Sequence, residues 1–395
     1  MSEVARVPQL RFPEFSNEWE KNKLGNLAVI KSGISPSKYE LKTTGSLPFL
    51  KVEDLNNCRK YQFNSRVYSE SLKNSINKNS VIFPKRGAAI RLNKVRINKV
   101  AALMDSNLMA LLPNTELLNT EFLYYKIMLD GLYKIADTST IPQINNKHIL
   151  PYKLNLPILP EQQKIAAFLT AVDSKIEQLS KKQELLGEYK KGLMQQIFSQ
   201  AIRFRAGDTP GQPLLPNGNS PSGSDFPNWE EKRLGDLCEI TTGKLDANAM
   251  VEGGQYRFYT CAKEYYKIDD YAFDTDALIV SGNGANVGYI HHYQGKFNAY
   301  QRTYVLDSFT DNIIFVKFVL DEYLHKRIMK EKNDGNTPYI VMGTLTDMKI
   351  NLPSFSEQAK ISNFLSSIDT KIEQVGKQLR ESKQFKKALL QQMFV

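Results

Sequence analysis

Two long stretches of the chain carry apolar residues on alternating steps of three and four. In 156–198 they fall at Ile165, Leu169, Val172, Ile176, Leu179, Leu186, Leu193 and Ile197, with breaks at Gln183 and Lys190. In 352–394 they fall at Ile361, Leu365, Ile368, Ile372, Val375, Leu379, Leu389 and Met393, with breaks at Ser382 and Lys386. A repeat near 3.5 held over that length predicts coiled-coil helices rather than isolated surface helices. Pro160 and Ser356 stand just before a Glu-Gln pair in each stretch, and both suit a helix start. Forty or so residues at about 1.5 Å each make a rod of about 60 Å. Neither helix buries its stripe alone, so the expectation is an antiparallel pair.

The rest of the pattern has period two or consists of short apolar runs. Strands are predicted near 47–52, 80–83, 101–104 and 108–112, then near 277–280, 288–291 and 303–306. Amphipathic helices are predicted near 120–129 and 313–330. This is an α+β pattern with irregular, turn-rich strands.

The two long stretches are also copies of one another, aligned without a gap at an offset of 196. Shared residues include Glu161/Glu357, Gln162/Gln358, Phe168/Phe364, Asp173/Asp369, the run 175–178 against 371–374, and Gln195-Gln196 against Gln391-Gln392. Identity at polar positions is not something core packing requires. A second repeat, W-E-x-x-[KR]-L-G-x-L-x-x-I-x-x-G, occupies 19–33 and 229–243 and holds both tryptophans of the chain. An F-P pair precedes each tryptophan, at Phe12-Pro13 and Phe226-Pro227. Ile141-Pro142-Gln143-Ile144 matches Thr337-Pro338-Tyr339-Ile340, and 153–157 matches 349–353. The expected organisation is a tandem: domain 1–157, helix 158–200, a Pro/Gly/Ser/Asn-rich linker 201–223, domain 224–352 and helix 353–395. The frames are alike and the interiors are not.

Charge narrows the partner. There are 52 Lys and Arg against 42 Asp and Glu, a net +10 that favours a polyanion, nucleic acid before membrane. Lys85, Arg86, Arg91, Lys94, Arg96 and Lys99 lie between Pro84 and Val100 with no acidic residue among them, on what reads as a basic hairpin or loop. Such a cluster suits phosphate neutralisation; an ordinary solvated face is the plain alternative. The corresponding place in the second half gathers Asn283, Asn286, Tyr300, Gln301 and Arg302. Amides pair with adenine and Arg with guanine in the major groove, although amides on loops have many other uses.

Catalytic signals are weak. Gly282-x-Gly284-x-x-x-Gly288 is followed by another strand-like run and not by a helix, so it is no dinucleotide fingerprint. His291-His292 has no metal-ligand spacing, and Cys58, Cys238 and Cys261 stand far apart. No Walker loop, nucleophile elbow or HExxH is present. With no apolar signal core and no run long enough to span a bilayer, the expectation is a reduced, cytoplasmic protein.

The order domain, long helix, domain, long helix, with the frames W-x4-L-G-x-L and L-P-x3-E-Q-x-K-I each occurring twice, resembles the specificity subunit of type I restriction–modification systems. That resemblance covers essentially the whole chain. It implies two target recognition domains reading an asymmetric, split sequence in double-stranded DNA, with the helices as spacer. It further implies two modification subunits methylating adenine at N6 and further restriction subunits. S-adenosylmethionine, ATP and Mg2+ would be bound by those partners, with no cofactor, metal or catalytic residue in this chain. The repeated Glu161, Gln162, Ile165, Leu169, Ile176, Gln195 and Gln196, with Glu357, Gln358, Ile361, Leu365, Ile372, Gln391 and Gln392, would be the subunit-docking and helix-pairing frame. Base-reading residues differ between members, so the DNA-binding set above rests on charge and chemistry alone. Two rivals are a stand-alone DNA-binding regulator with a coiled-coil interface and a self-contained nuclease or methyltransferase. Membrane association is weaker, because neither helix has a clean basic amphipathic face.

Overall fold

A computed structural model describes residues 7–137, 141–205, 207, 226–331 and 338–395, with backbone alone at 215–216. Thr337 and most of the linker 201–223 lie outside the described residues. Two compact units result, one of 1–181 with 376–395 and one of 182–375. The four main helices are α1 (Thr120–Asp130), α2 (Leu159–Phe198), α3 (Ile313–Glu331) and α4 (Phe355–Met393). The division between the units falls inside both α2 and α4.

In the first unit a five-stranded sheet runs in the order Ala28–Ser32, Leu108–Pro113, Val81–Pro84, Arg96–Asn98, Tyr61–Gln62. A second, three-stranded sheet joins Tyr68–Ser69, Leu47–Leu50 and Leu103–Met104. Helix α1 is not amphipathic as its sequence predicts. All six residues from Phe122 to Ile127 are buried, because α1 is wedged between the sheet and the long helices. Its core includes Val81, Phe83 and Met109 from the sheet, Ile165 and Leu169 from α2, and Leu389 and Met393 from α4.

In the second unit a six-stranded sheet runs Glu239–Thr242, Thr303–Asp307, Phe273–Ser281, Ile290–Ala299, Tyr256–Tyr259, Tyr266–Ile268. Helix α3 packs Phe315, Val316, Phe318 and Leu324 against it. The same core takes Met194, Ile197 and Phe198 from α2 and Ile361, Leu365 and Ile368 from α4.

The repeated sequences at the two ends of each domain are strand partners. Glu20–Lys23 pairs antiparallel with Lys153–Leu156, Glu20 opposite Leu156. Glu230–Arg233 pairs in the same register with Lys349–Leu352, Glu230 opposite Leu352. Each domain is thereby closed one turn before its long helix begins. Inside each unit the helical segments are antiparallel. In the first, Trp19 holds Glu161 and packs on Phe394, while twelve residues along α2 Asp173 meets Lys386 at 2.6 Å. In the second, Lys190 meets Asp369 at 2.7 Å, the same pair of repeat positions with the helices exchanged.

One strand pair carries a built-in repulsion. Asp307 lies directly opposite Glu239. Partial burial, and then Glu239, raise the Asp307 carboxyl above its ordinary value. A raised carboxyl contributes stability only below its unfolded value and loses it as pH rises through the folded one. Asp307→Asn therefore stabilises the protein at neutral pH, by less than about 1 kcal/mol for a pair this exposed. Urea denaturation at pH 7 and near pH 3.5 checks this, since the gain vanishes once the wild-type carboxyl is protonated. An equal gain at both pH values would show that repulsion is not the cause.

Candidate nucleic-acid interface

What holds each domain to its helix determines where its loops point. Glu161, only 1% exposed, accepts from Arg11 Nε at 2.7 Å and Nη2 at 2.8 Å, and from Trp19 Nε1 at 3.4 Å. Glu357, at 0% exposed, accepts from Arg203 Nε at 3.1 Å and Nη2 at 2.7 Å, and from Trp229 Nε1 at 3.2 Å. Gln162 accepts from the Asn119 N–H at 2.9 Å and donates to Leu117 O and Pro157 O. Gln358 accepts from the Asn312 N–H at 3.0 Å and donates to Asp311 Oδ1 and Pro353 O. Asn119 in turn caps α1, accepting from the Phe122 N–H, and Asn312 accepts from the Phe315 N–H. So the repeated Glu-Gln pair acts inside its own unit, as do Ile165, Leu169, Ile361 and Leu365, and Ile176 is buried. Ile372 is half-buried, and Gln195, Gln196, Gln391 and Gln392 are exposed.

Arg11 and Arg203 are functional partners that the repeat frame hides. The F-P alignment pairs Phe12 with Phe226, yet in the structure the ring that takes Phe12's place is Phe204. Phe12 packs edge-on against Phe168 at 5.9 Å, and Phe204 packs so against Phe364 at 5.6 Å. Phe226 keeps only the lysine, with Lys360 over its ring at 5.8 Å as Lys164 is over Phe12 at 4.8 Å. The inserted segment between Arg203 and Trp229 splits one residue's work between two, and the repeated Arg-Phe dipeptide is the signal that would have exposed it.

With the domain fixed, equivalent backbone bonds gather its loops. In the first unit Ile144 N–H donates to Lys85 O and Gly87 N–H donates to Pro142 O, while Lys85 N–H reaches Asn107 O. In the second, Ile340 N–H donates to Gly282 O and Gly282 N–H donates to Arg302 O. The repeated P-x-I motif is therefore the clip on both loop clusters. Gly33 and Gly243, ending the tryptophan repeat, lie so close to neighbouring backbone that a Cβ would sit 2.0 Å from Asp105 O and Ala299 O respectively.

The basic stretch is a loop between paired strands, as its sequence predicts, but its cations are not alike. Arg86 and Arg91 are exposed, and Lys85 and Lys94 are half-buried. Burial pushes the Lys85 ammonium below its ordinary value. Arg96 turns inward and donates to Cys58 O at 2.9 Å and Val95 O at 2.7 Å. Lys99 pairs with Glu121 at 3.4 Å over the Tyr61 ring. Glu121 also meets the buried Lys60, which donates to Tyr125 at 2.7 Å and Thr170 at 2.9 Å. Burial drives the Lys60 ammonium down. Arg96 and Lys99 are thus engaged inside the domain, leaving Arg86 and Arg91 as the exposed cations of the stretch.

In the second unit Asn283, Asn286, Tyr300, Gln301 and Arg302 are brought together. Gln301 N–H donates to Leu245 O, and its amide donates to Asp246 at 2.9 Å. Asn286 donates to Cys261 O at 3.0 Å, which commits it to the loop after Tyr259. Arg302 is exposed. Sequence reasoning missed that loop, 261–265, and Tyr289 beside it. Lone aromatic and lysine positions carry no periodic signal. No group of His, Cys, Asp and Glu among the described residues has the arrangement of a metal site, and no helix is long and apolar enough to cross a membrane. The first cluster offers cations and the second an arginine beside amides, both on internally clipped loops, a surface suited to phosphates and base edges.

Comparison with known proteins bears on this surface. The profile described as "Type I restriction modification DNA specificity domain" matches residues 16–186 and 227–381. The chain is 39% identical over 166 residues to the type I restriction enzyme EcoDI specificity subunit of Escherichia coli, a match covering 41% of this chain and 37% of that subunit. It is 23% identical to the MjaVIII specificity subunit of Methanocaldococcus jannaschii over 96% of this chain and 92% of the relative. A crystal structure of a type I S subunit from M. genitalium superposes with a TM-score of 0.68 at 18% identity, covering 98% of this chain and 99% of that one.

Proposed function

The chain belongs to the type I restriction–modification DNA specificity family, and we propose on that premise that its two units read the two unlike halves of one split DNA target. As a specificity subunit it recognises sequence and carries no catalytic step itself. One observation carries the split, asymmetric reading: the same closed frame, with the same Glu-Gln joint and P-x-I clip, presents different chemistry in each unit. Arg86 and Arg91 are exposed in the first, and Gln301 and Arg302 in the second beside the half-buried Asn283. Identical mounts with unlike loops read unlike half-sites.

In this reading α2 and α4 set the gap between the halves. Two modification subunits bind the chain and transfer a methyl group from S-adenosylmethionine to adenine N6. Restriction subunits add ATP- and Mg2+-dependent translocation and cleavage. The exposed Gln195, Gln196, Gln391 and Gln392 are the members of the repeated set available to those subunits. Methylation needs a flipped base and a donor pocket, and both belong to the modification subunits.

The test is to co-express the chain with its modification subunit in a methylation-free host and map N6-methyladenine by long-read sequencing. A two-part motif with a fixed gap and unlike halves is expected. Replacing residues 84–100 with those of a relative should alter one half and leave the other unchanged. A contiguous motif, or the same methylation without this chain, would refute the reading in favour of a regulator.

A further inference from the structure

The second unit holds a loop in place with side chains that have no other evident duty. The loop after Tyr259, residues 261–265, is exposed and polar at its tip, yet three bonds clip it down. Asn286 Nδ2 donates to Cys261 O at 3.0 Å, His291 Nε2 donates to Ala262 O at 3.1 Å, and the Cys261 thiol donates to Arg302 O at 3.3 Å. His291 is in turn held between two tyrosine rings, Tyr259 and Tyr289, each 4.9 Å from it. Tyr259 is buried and Tyr289 is 38% exposed. Lys263 is exposed, with Nζ 6.0 Å from the Tyr289 centroid. Beyond it the Arg257 guanidinium lies between Tyr265 at 4.4 Å and Tyr293 at 4.2 Å. The arrangement is a shelf of rings and cations running on from Arg302, with Lys263, Tyr265 and Tyr289 exposed and Arg257 and Tyr293 half-buried.

Nearby acidic groups are largely engaged. Asp246 accepts from Gln301, and Asp276 accepts from His292 at 2.7 Å. Glu264, beside Lys263 in the chain, is exposed. A loop ordered before contact loses little further entropy on binding, which suits a positioning contact.

We propose that Lys263 and Tyr289, together with Arg302, contact the phosphate–sugar backbone of the duplex beside the half-site read by the second unit. The proposal rests on the DNA-reading function set out above. Lys263 neutralises a phosphate, and the Tyr289 ring and hydroxyl pack on the adjoining sugar. His291 is a positioning residue that acts through Lys263 by holding Ala262 O. Burial pushes its imidazole below the ordinary value, so it stays neutral at pH 7 and its bond to Ala262 needs only the Nε2–H tautomer.

The experiment uses the complex of this chain with its modification subunits and a duplex carrying the sequence that methylation mapping yields. Binding is titrated against salt. Lys263→Gln should weaken binding about fivefold near physiological salt, reduce the slope of log K against log salt by about 1, and do so equally for target and scrambled duplexes. Tyr289→Ala should weaken binding with little change of slope. His291→Ala should reproduce part of the Lys263→Gln loss, add nothing to it in the double variant, and be rescued by His291→Gln. A wild-type complex that prefers its target, with Lys263→Gln unchanged in affinity and slope, overturns the proposal and leaves the function standing. A Lys263→Gln complex altered in sequence preference instead overturns the phosphate assignment. A wild-type complex with no preference for its target would refute the DNA-reading function itself.

Discussion

Glu161→Ala should destabilise the first unit by about 3–5 kcal/mol, and Glu357→Ala the second by a similar amount, because each removes one partner of a buried ion pair and strands the other. Arg11 is 11% exposed and Arg203 13%, so neither guanidinium regains full hydration when its carboxylate is lost. Each tryptophan N–H also loses its acceptor, at 3.4 Å in one unit and 3.2 Å in the other. Both costs fall on the joint through which domain and helix share a core. Urea denaturation followed by hydrogen exchange should show the loss concentrated in the unit that carries the substitution. Glu161→Gln, which keeps an acceptor for Arg11, should cost less than Glu161→Ala. Gln195→Ala, at an exposed position, should change stability by less than about 0.5 kcal/mol. A loss below 1 kcal/mol for Glu161→Ala would mean that the pair is no better than the hydration it replaces. In the methylation assay, Glu357→Ala should weaken recognition of one half-site before the other.

Gly33→Ala and Gly243→Ala come next in size. At either position the added carbon would stand 2.0 Å from a backbone oxygen, Asp105 O or Ala299 O, and no flexible side-chain end is available to move aside. The strands must separate, and with them the bonds from Gly33 N–H to Leu108 O at 3.0 Å and from Gly243 N–H to Thr303 O at 3.1 Å. Overpacking against rigid backbone costs about 1–3 kcal/mol, and a contact this short places these variants at the upper end. Gly187→Ala makes the control, since that glycine lies in α2 with open space around it. There the change should be neutral or should stabilise by up to about 1 kcal/mol through helix propensity. Thermal denaturation of the three variants separates the cases, and equal melting temperatures for Gly243→Ala and wild type would contradict the close approach seen here.

Much of the architecture was legible because it is written twice. The heptad stripes marked α2 and α4 to within a few residues, and burial follows them at Ile165, Leu169, Ile361 and Leu365. A two-copy chain also separates frame from content, which is how the loops with differing chemistry were located. What escaped were features with no period. Helix α1 looks amphipathic in sequence because pattern cannot register contact on a second side. The match of Arg203 to Arg11 was masked by the inserted segment. The loop 261–265 carries single exposed residues whose meaning comes only from Asn286 and His291, 25 and 29 positions away.

By itself the sequence determined the tandem plan, the α+β class, the long helices and the family, because these rest on local periodicity and on similarity along the chain. Only the tertiary structure decided which members of a motif face solvent. Six cations in one stretch look equivalent on paper, yet Arg96 and Lys99 are drawn inward by Cys58 O and Glu121 while Arg86 and Arg91 are left outside. The repeat places Glu161 in a docking and helix-pairing frame, and the fold makes it the buried acceptor for Arg11, 150 positions away. Ion pairs and hydrogen bonds act over about 3 Å in space regardless of separation along the chain, so the partner that settles a polar residue's role is visible only after folding.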